Sequence, residues 1–216
     1  AVSVGTEQQQ GGFFMAKATE KTRRLVQMSI LIAIMLILAF TPLGYLKVGA
    51  IEITFMTIPV VVGAILLGPA SGAVLGGVFG LTSFIQCFGM STFGAALLNI
   101  NPFLTFLVCM VPRVLMGYLS GVIFQLLHRG GKTKILSFAV SSLSGAVLNT
   151  VFFVTMLMLL FGSSDYMMSM RGGMCLLSFL AAFVGINGLV EAIVAFILGT
   201  AISKALVQFL PQEKQA

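Results

Sequence analysis

Apolar residues fall in long blocks along this chain, and charged residues collect where the blocks end. An apolar run of ~20 residues is what an α-helix needs to cross the ~30 Å hydrocarbon layer of a bilayer. Helix 1 is expected from about Leu25 to Phe40, behind Lys17, Lys21, Arg23 and Arg24, with Pro42 and Gly44 punctuating its exit. Lys47 to Glu52 reads as a polar connection, followed by helix 2 from about Ile53 to Leu67. Gly68-Pro69 stops that helix in a tight turn, and helix 3 follows from about Ala70 to Phe88. The stretch Gly89 to Asn101 is uncharged and rich in small residues, so it reads as a folded loop rather than a span. Pro is favoured at a first helical position, which starts helix 4 near Pro102 and carries it to the polar run beginning at His128. Helix 5 is expected from about Ile135 to Phe161, and a short loop holding Asp165 and Arg171 leads into helix 6, about Cys175 to Leu206. The pattern therefore predicts an all-α integral membrane bundle of six transmembrane helices. It divides the chain into a disordered segment over 1–20, the bundle over 21–207 and a cytoplasmic tail over 208–216, with Met15 the better candidate for the native start.

Composition agrees with that division. Of 216 residues, 58% are hydrophobic and 8% charged, at a mean hydropathy of +1.09. A soluble domain would carry roughly a quarter of its residues as charges. The net charge of +6 raises nucleic acid as a partner. Its placement argues against that, because basic residues cluster at helix ends and in short connections, as membrane orientation signals do. With the N-terminus inside, the inner side holds Lys17, Lys21, Arg23, Arg24, Arg129, Lys132, Lys134, Lys204 and Lys214, and the outer side only Lys47 and Arg171. Both termini are accordingly expected in the cytoplasm, and the chain in a prokaryotic plasma membrane. Cys87, Cys109 and Cys175 are too scattered for a metal site and read as small buried hydrophobes. With one His and no paired carboxylates, no catalytic constellation is expected.

Polar side chains inside the spans cost energy in a membrane, so they point to a cavity or a partner. Counting ~1.5 Å per residue from the outer helix ends puts Arg113, Asn149 and Asn187 in one layer, ~16–20 Å deep. Glu191, four residues past Asn187, shares its face one turn deeper. Gln86, Asn99 and Asn101 would lie above that layer, and the seven together suggest a pocket open to the outside. The bland alternative is mutual neutralisation of Arg113 and Glu191, with the asparagines bonding between helices for ~0.6–2 kcal/mol each. An arginine facing the cavity suits an anionic or strongly hydrogen-bonding solute. Small residues recur at four-residue spacing as Gly72, Gly76 and Gly80 in helix 3 and as Ser29 and Ala33 in helix 1. The first set reads as internal packing, the second as a face offered to another protein.

Gly68-Pro69-Ala70-Ser71-Gly72, Thr82-Ser83-Phe84-Ile85-Gln86, Asn99-Ile100-Asn101-Pro102 and Pro112-Arg113-Val114-Leu115-Met116-Gly117 follow one another in an order that resembles the substrate-binding S component of energy-coupling factor vitamin transporters. The similarity runs from about Lys21 to Leu206 and looks closest to the pantothenate-type members. The resemblance implies capture of a vitamin from outside, with pantothenate first and riboflavin or a pyridoxine-like compound next. It implies docking on a transmembrane coupling subunit with two ATPase subunits, through small residues on helix 1. Ser29 and Ala33 fit that face, while Ile37 breaks the repeat. The chain has no Gly-x4-Gly-Lys-Ser/Thr loop, so it is expected to bind no cofactor itself and to leave ATP to its partners. The rival expectation is a stand-alone secondary transporter of a small polar solute, which would show repeated halves with interrupted helices.

Overall fold

The computed structural model describes residues 3–41, 44–48, 51–129, 134–175, 178, 185 and 188–209. In chain order the elements are α1 (Ser3–Phe40), β1 (Tyr45–Val48), β2 (Ile51–Thr54), α2 (Thr57–Leu67), α3 (Pro69–Gln86), α4 (Thr92–Ile100), α5 (Pro102–Arg129), α6 (Lys134–Phe161) and α7 (Asp165–Arg171). The last helix, α8, begins at Gly188, contains a π-helical stretch at Ala195–Gly199 and continues through Thr200–Phe209. Among the described residues, four helical stretches are long and apolar enough to cross a membrane: Lys21–Phe40, Pro102–His128, Leu136–Phe161 and Gly188–Ala205.

Several boundaries depart from expectation for identifiable reasons. Helix α1 starts at Ser3, inside the stretch expected to be irregular, where Glu, Gln, Ala and Lys are all good helix formers. The polar connection and the first residues of the expected helix 2 form an antiparallel hairpin instead, pairing Tyr45 with Thr54 and Lys47 with Glu52, so the fold is not purely helical. Helix α2 cannot begin at Ile53. Pro59 has no N–H and clashes with the preceding turn unless it lies in the first turn, which fixes the start near Thr57. The expected loop after α3 contains a helix, because Ser91 caps it by accepting from the Gly94 N–H at 3.2 Å. Ser164 does the same for α7, accepting from the Met167 N–H at 3.3 Å, and left-handed Gly172 ends that helix.

Helix α2 is the axis of the bundle. Thr57, Ile58, Pro59, Val60, Val61, Val62, Gly63, Ala64, Ile65 and Leu67 are all buried, and α1, α3, α5, α6 and α8 pack around them. A helix that is apolar all round belongs inside, whereas the surrounding helices turn Ile30, Leu81, Leu115, Val151 and Ile197 outward as a lipid-facing surface would. At ~1.5 Å per residue, its 11 residues rise only ~16 Å, so the N-terminus of α2 opens inside the bundle rather than at its surface. The core formed by Met35, Met56, Val60, Val61, Leu75, Phe79 and Met116 surrounds it, and a smaller cluster of Leu97, Val108, Leu157, Phe161 and Met167 lies under α4 and α7.

The glycines of α3 act as expected for internal packing. A Cβ on Gly72 would strike the Gly117 carbonyl oxygen, one on Gly76 the Arg113 carbonyl oxygen, and one on Gly80 would lie 2.9 Å from the Cys109 carbonyl oxygen. Helices α3 and α5 therefore touch backbone to backbone along their length.

Candidate solute-binding site

Arg113 owes its position to the residue before it. Pro112, inside α5, has no N–H to give the carbonyl of residue 108, four positions back. The Arg113 guanidinium supplies that donor, with Nη1 2.8 Å from the Val108 carbonyl oxygen. Its planar head lies 4.5 Å from the centroid of the Phe153 ring on α6 and 5.5 Å from that of Phe79 on α3. Two aromatic faces thus flatten and hold a cation that would otherwise be costly in this interior.

Asn149 and Glu191 meet across α6 and α8. Asn149 Nδ2 donates to Glu191 Oε1 at 3.4 Å, and both side chains are buried. A carboxylate accepts and does not donate, so it fixes the amide with its nitrogen toward Glu191 and its oxygen away. That oxygen, Asn149 Oδ1, is buried and finds no protein partner. Thr57, in the first turn of α2, places a fully buried hydroxyl beside the Glu191 carboxyl without reaching hydrogen-bond geometry to any group. Arg113 is a charged neighbour of the Glu191 carboxyl. The N-terminus of α2, which has no capping side chain from Met56, adds a favourable dipole for a negative charge there. Half-buried Arg113 and buried Thr57, Asn149 and Glu191 therefore form one polar cluster contributed by α5, α2, α6 and α8.

The other sequence candidates sit elsewhere. Gln86 is buried and donates from Nε2 to the Ala39 carbonyl oxygen at 2.6 Å, satisfying one of the orphan carbonyls at the end of α1. Asn101 caps α5, its Oδ1 accepting from the Phe103 and Leu104 N–H groups at 3.0 and 3.1 Å. Asn99 is exposed near the end of α4, and Asn187 lies outside the described residues. On α1, Ser29 and Ala33 are exposed while Leu31, Met35 and Ala39 are buried, so the expected docking face points away from the core. Sequence reasoning missed Thr57, Phe79 and Phe153. Pro112 immediately before Arg113 was the available signal for the Val108 contact, since a proline frees the carbonyl four residues earlier.

This arrangement holds charge and hydrogen-bonding capacity for a small molecule. Among the described residues, no three His, Cys, Asp or Glu side chains come together to hold a metal. Fold and cluster define a multi-pass helical membrane protein with a polar interior. The chain belongs to the substrate-specific components of ECF transporters, whose family model matches residues 23–203, and it is a transport protein. It is 30% identical over 197 residues to the pantothenate transporter PanT of Leuconostoc mesenteroides subsp. mesenteroides, a match covering 88% of this chain and 95% of that relative. It is also 30% identical over 194 residues to the pantothenic acid transporter PanT of Lactococcus lactis subsp. cremoris, covering 84% of this chain and 92% of that one.

Proposed function

We propose that this chain captures pantothenate at the outer face of a prokaryotic plasma membrane and passes it inward with energy supplied by partner ATPases. The observation that carries the reading is the cluster at the head of α2. Arg113 presents a fixed fork of donors to a carboxylate, while Asn149 Oδ1, the Thr57 hydroxyl and Glu191 offer acceptors. Pantothenate has the matching halves, a carboxylate at one end and hydroxyl and amide donors at the other. The two relatives named for pantothenate support the choice of vitamin.

In this reading the chain crosses the membrane six times, along α1, the segment that ends in α2, α3, α5, α6 and α8, with both chain ends in the cytoplasm. A transmembrane coupling subunit docks against the exposed Ser29 and Ala33 face of α1, where a small residue lets a partner helix approach closely. ATP is bound by two partner ATPases and not by this chain. The test is equilibrium binding of radiolabelled pantothenate, riboflavin and pyridoxine to detergent-purified protein, followed by uptake into proteoliposomes. Pantothenate should bind best, and the chain alone should accumulate none against a gradient. Preference for another vitamin would overturn the substrate; concentrative uptake by the chain alone would overturn the dependence on partners.

A further inference from the structure

The two sides of the polar cluster differ in what they can hold. On the α5 side stands a cation, Arg113, whose guanidinium only donates. The opposite wall is built by α2, α6 and α8 and offers oxygen: the Thr57 hydroxyl, Asn149 Oδ1 and the Glu191 carboxyl. Among the described residues, Arg113 is the one charged neighbour of that carboxyl. Residues 135–170 and 172–203, like α2, contain no Lys or Arg. The cluster therefore has one cation, and it lies on one side.

A helix N-terminus is where a phosphate ordinarily finds backbone donors, and α2 begins at this wall. Its donors are largely taken. The Met56 N–H gives to Thr54 Oγ1 at 3.2 Å, the Ile58 N–H gives to the Phe55 carbonyl oxygen at 3.1 Å, and Pro59 has none. The Asn149 amide nitrogen is engaged with Glu191 at 3.4 Å, which leaves the amide its oxygen. Ionised, the Glu191 carboxyl only accepts; protonated, it has a single proton to give. A hydroxyl can donate to any of these oxygens and suits such a wall. A phosphate monoester brings about −1.5 to −2 charge at neutral pH and strong acceptor oxygens, so against the wall it stays unneutralised. Turning the solute end for end does not help, because a solute anionic at both ends meets only one cation.

We propose that the α2–α6–α8 wall, with Glu191 as its specificity-determining residue, admits solutes that end in a free hydroxyl and rejects those that end in a phosphate or another anion. This rests on the pantothenate reading above, which gives the solute's carboxylate to Arg113 and its hydroxyl end to the wall. The test compares the affinities of three probes for detergent-purified protein: pantothenate, the phosphate ester of its primary hydroxyl, and the acetate ester of the same hydroxyl. The acetate ester adds bulk at that end without charge. On the wild type the phosphate ester should bind about a hundredfold or more weaker than pantothenate, and about tenfold or more weaker than the acetate ester. Glu191→Gln, which keeps the shape and exchanges an oxygen for an amide donor, should narrow the gap between the two esters by about tenfold, whatever it does to pantothenate. Glu191→Met serves where that variant does not fold. Equal weakening of the two esters on the wild type would show exclusion by size and overturn the wall, as would a phosphate ester that binds like pantothenate; either leaves the pantothenate reading intact. An unchanged gap in the folded variant would overturn the role of Glu191. A wild type that binds none of the three overturns the pantothenate reading and the wall with it.

Discussion

Two adjacent glycines of α3 should respond in opposite directions to the same substitution. Gly76 faces α5, where an added Cβ would strike the Arg113 carbonyl oxygen and lie 2.8 Å from the Arg113 carbonyl carbon and 3.1 Å from Val114 Cα. Optimal carbon–carbon separations are ~3.5–4.0 Å, so the helices must part by roughly 1 Å. All the struck atoms are backbone, and no side chain can rotate away. A gap of ~0.5–1 Å forfeits a quarter to a half of each dispersion contact around it, and overpacking of this kind typically costs ~1–3 kcal/mol. Alanine recovers ~0.5–1 kcal/mol through its lower unfolded-state entropy, leaving Gly76→Ala destabilised by ~1–2 kcal/mol. Gly77 meets only Val114 Cγ2, at 3.9 Å, so Gly77→Ala keeps the gain of ~0.5–1 kcal/mol without the clash. At ~2–4 °C per kcal/mol for a chain of this size, thermal unfolding in detergent should separate the two variants by several degrees. Equal midpoints, or a higher one for Gly76→Ala, would refute the backbone contact between α3 and α5.

Pro112→Ala restores an N–H for the Val108 carbonyl, which frees Arg113 from that bond. Thermal stability should hold or rise while solute affinity falls by about tenfold or more, the value of one charge-assisted hydrogen bond; unchanged affinity would show that the proline does not position the guanidinium. Arg113→Met and Glu191→Leu should each destabilise the protein, and their combination should recover much of that stability, because no uncompensated buried charge remains. Affinity should stay low in the double variant, and its full recovery would remove Arg113 from the solute contacts. Ala33→Leu should leave solute binding intact and abolish uptake by the complex, so undiminished uptake would show that the coupling subunit docks on another face.

Helix existence was legible in this sequence wherever a long apolar block had no competing local chemistry, as in α5 and α6, which end within a residue or two of expectation. The misreadings came from short-range effects that hydropathy averages away. Alternation across Tyr45–Val48 and Ile51–Thr54 was hidden in a segment judged by its polarity, although two short strands around a two-residue gap can be read from spacing. Pro59 bounded α2 more sharply than its apolar run did. For the site, depth counting placed Arg113 and Asn149 in one layer. It could not show that Glu191 would reach Asn149, which the packing of α6 against α8 decides, or that Thr57 would join them, which depends on where α2 begins. Gln86 and Asn101 show the competing explanation: an amide at a helix end is as well accounted for by the orphan backbone groups there as by a ligand.

The same accounting joins the polar cluster to the scaffold that holds it. Arg113 carries two constraints at once: its carbonyl oxygen lies against Gly76, and its guanidinium is tied back to Val108 by the break at Pro112. The position of this cation is thus set by the rigid α3–α5 contact. The Asn149–Glu191 half belongs to the α6–α8 interface, which is lined with small residues and interrupted by a π-helical stretch. A solute bridging the two halves would be gripped by one side that resists displacement and one whose packing is less uniform. Destabilising the α3–α5 contact should therefore weaken binding, because it displaces the backbone that carries the guanidinium.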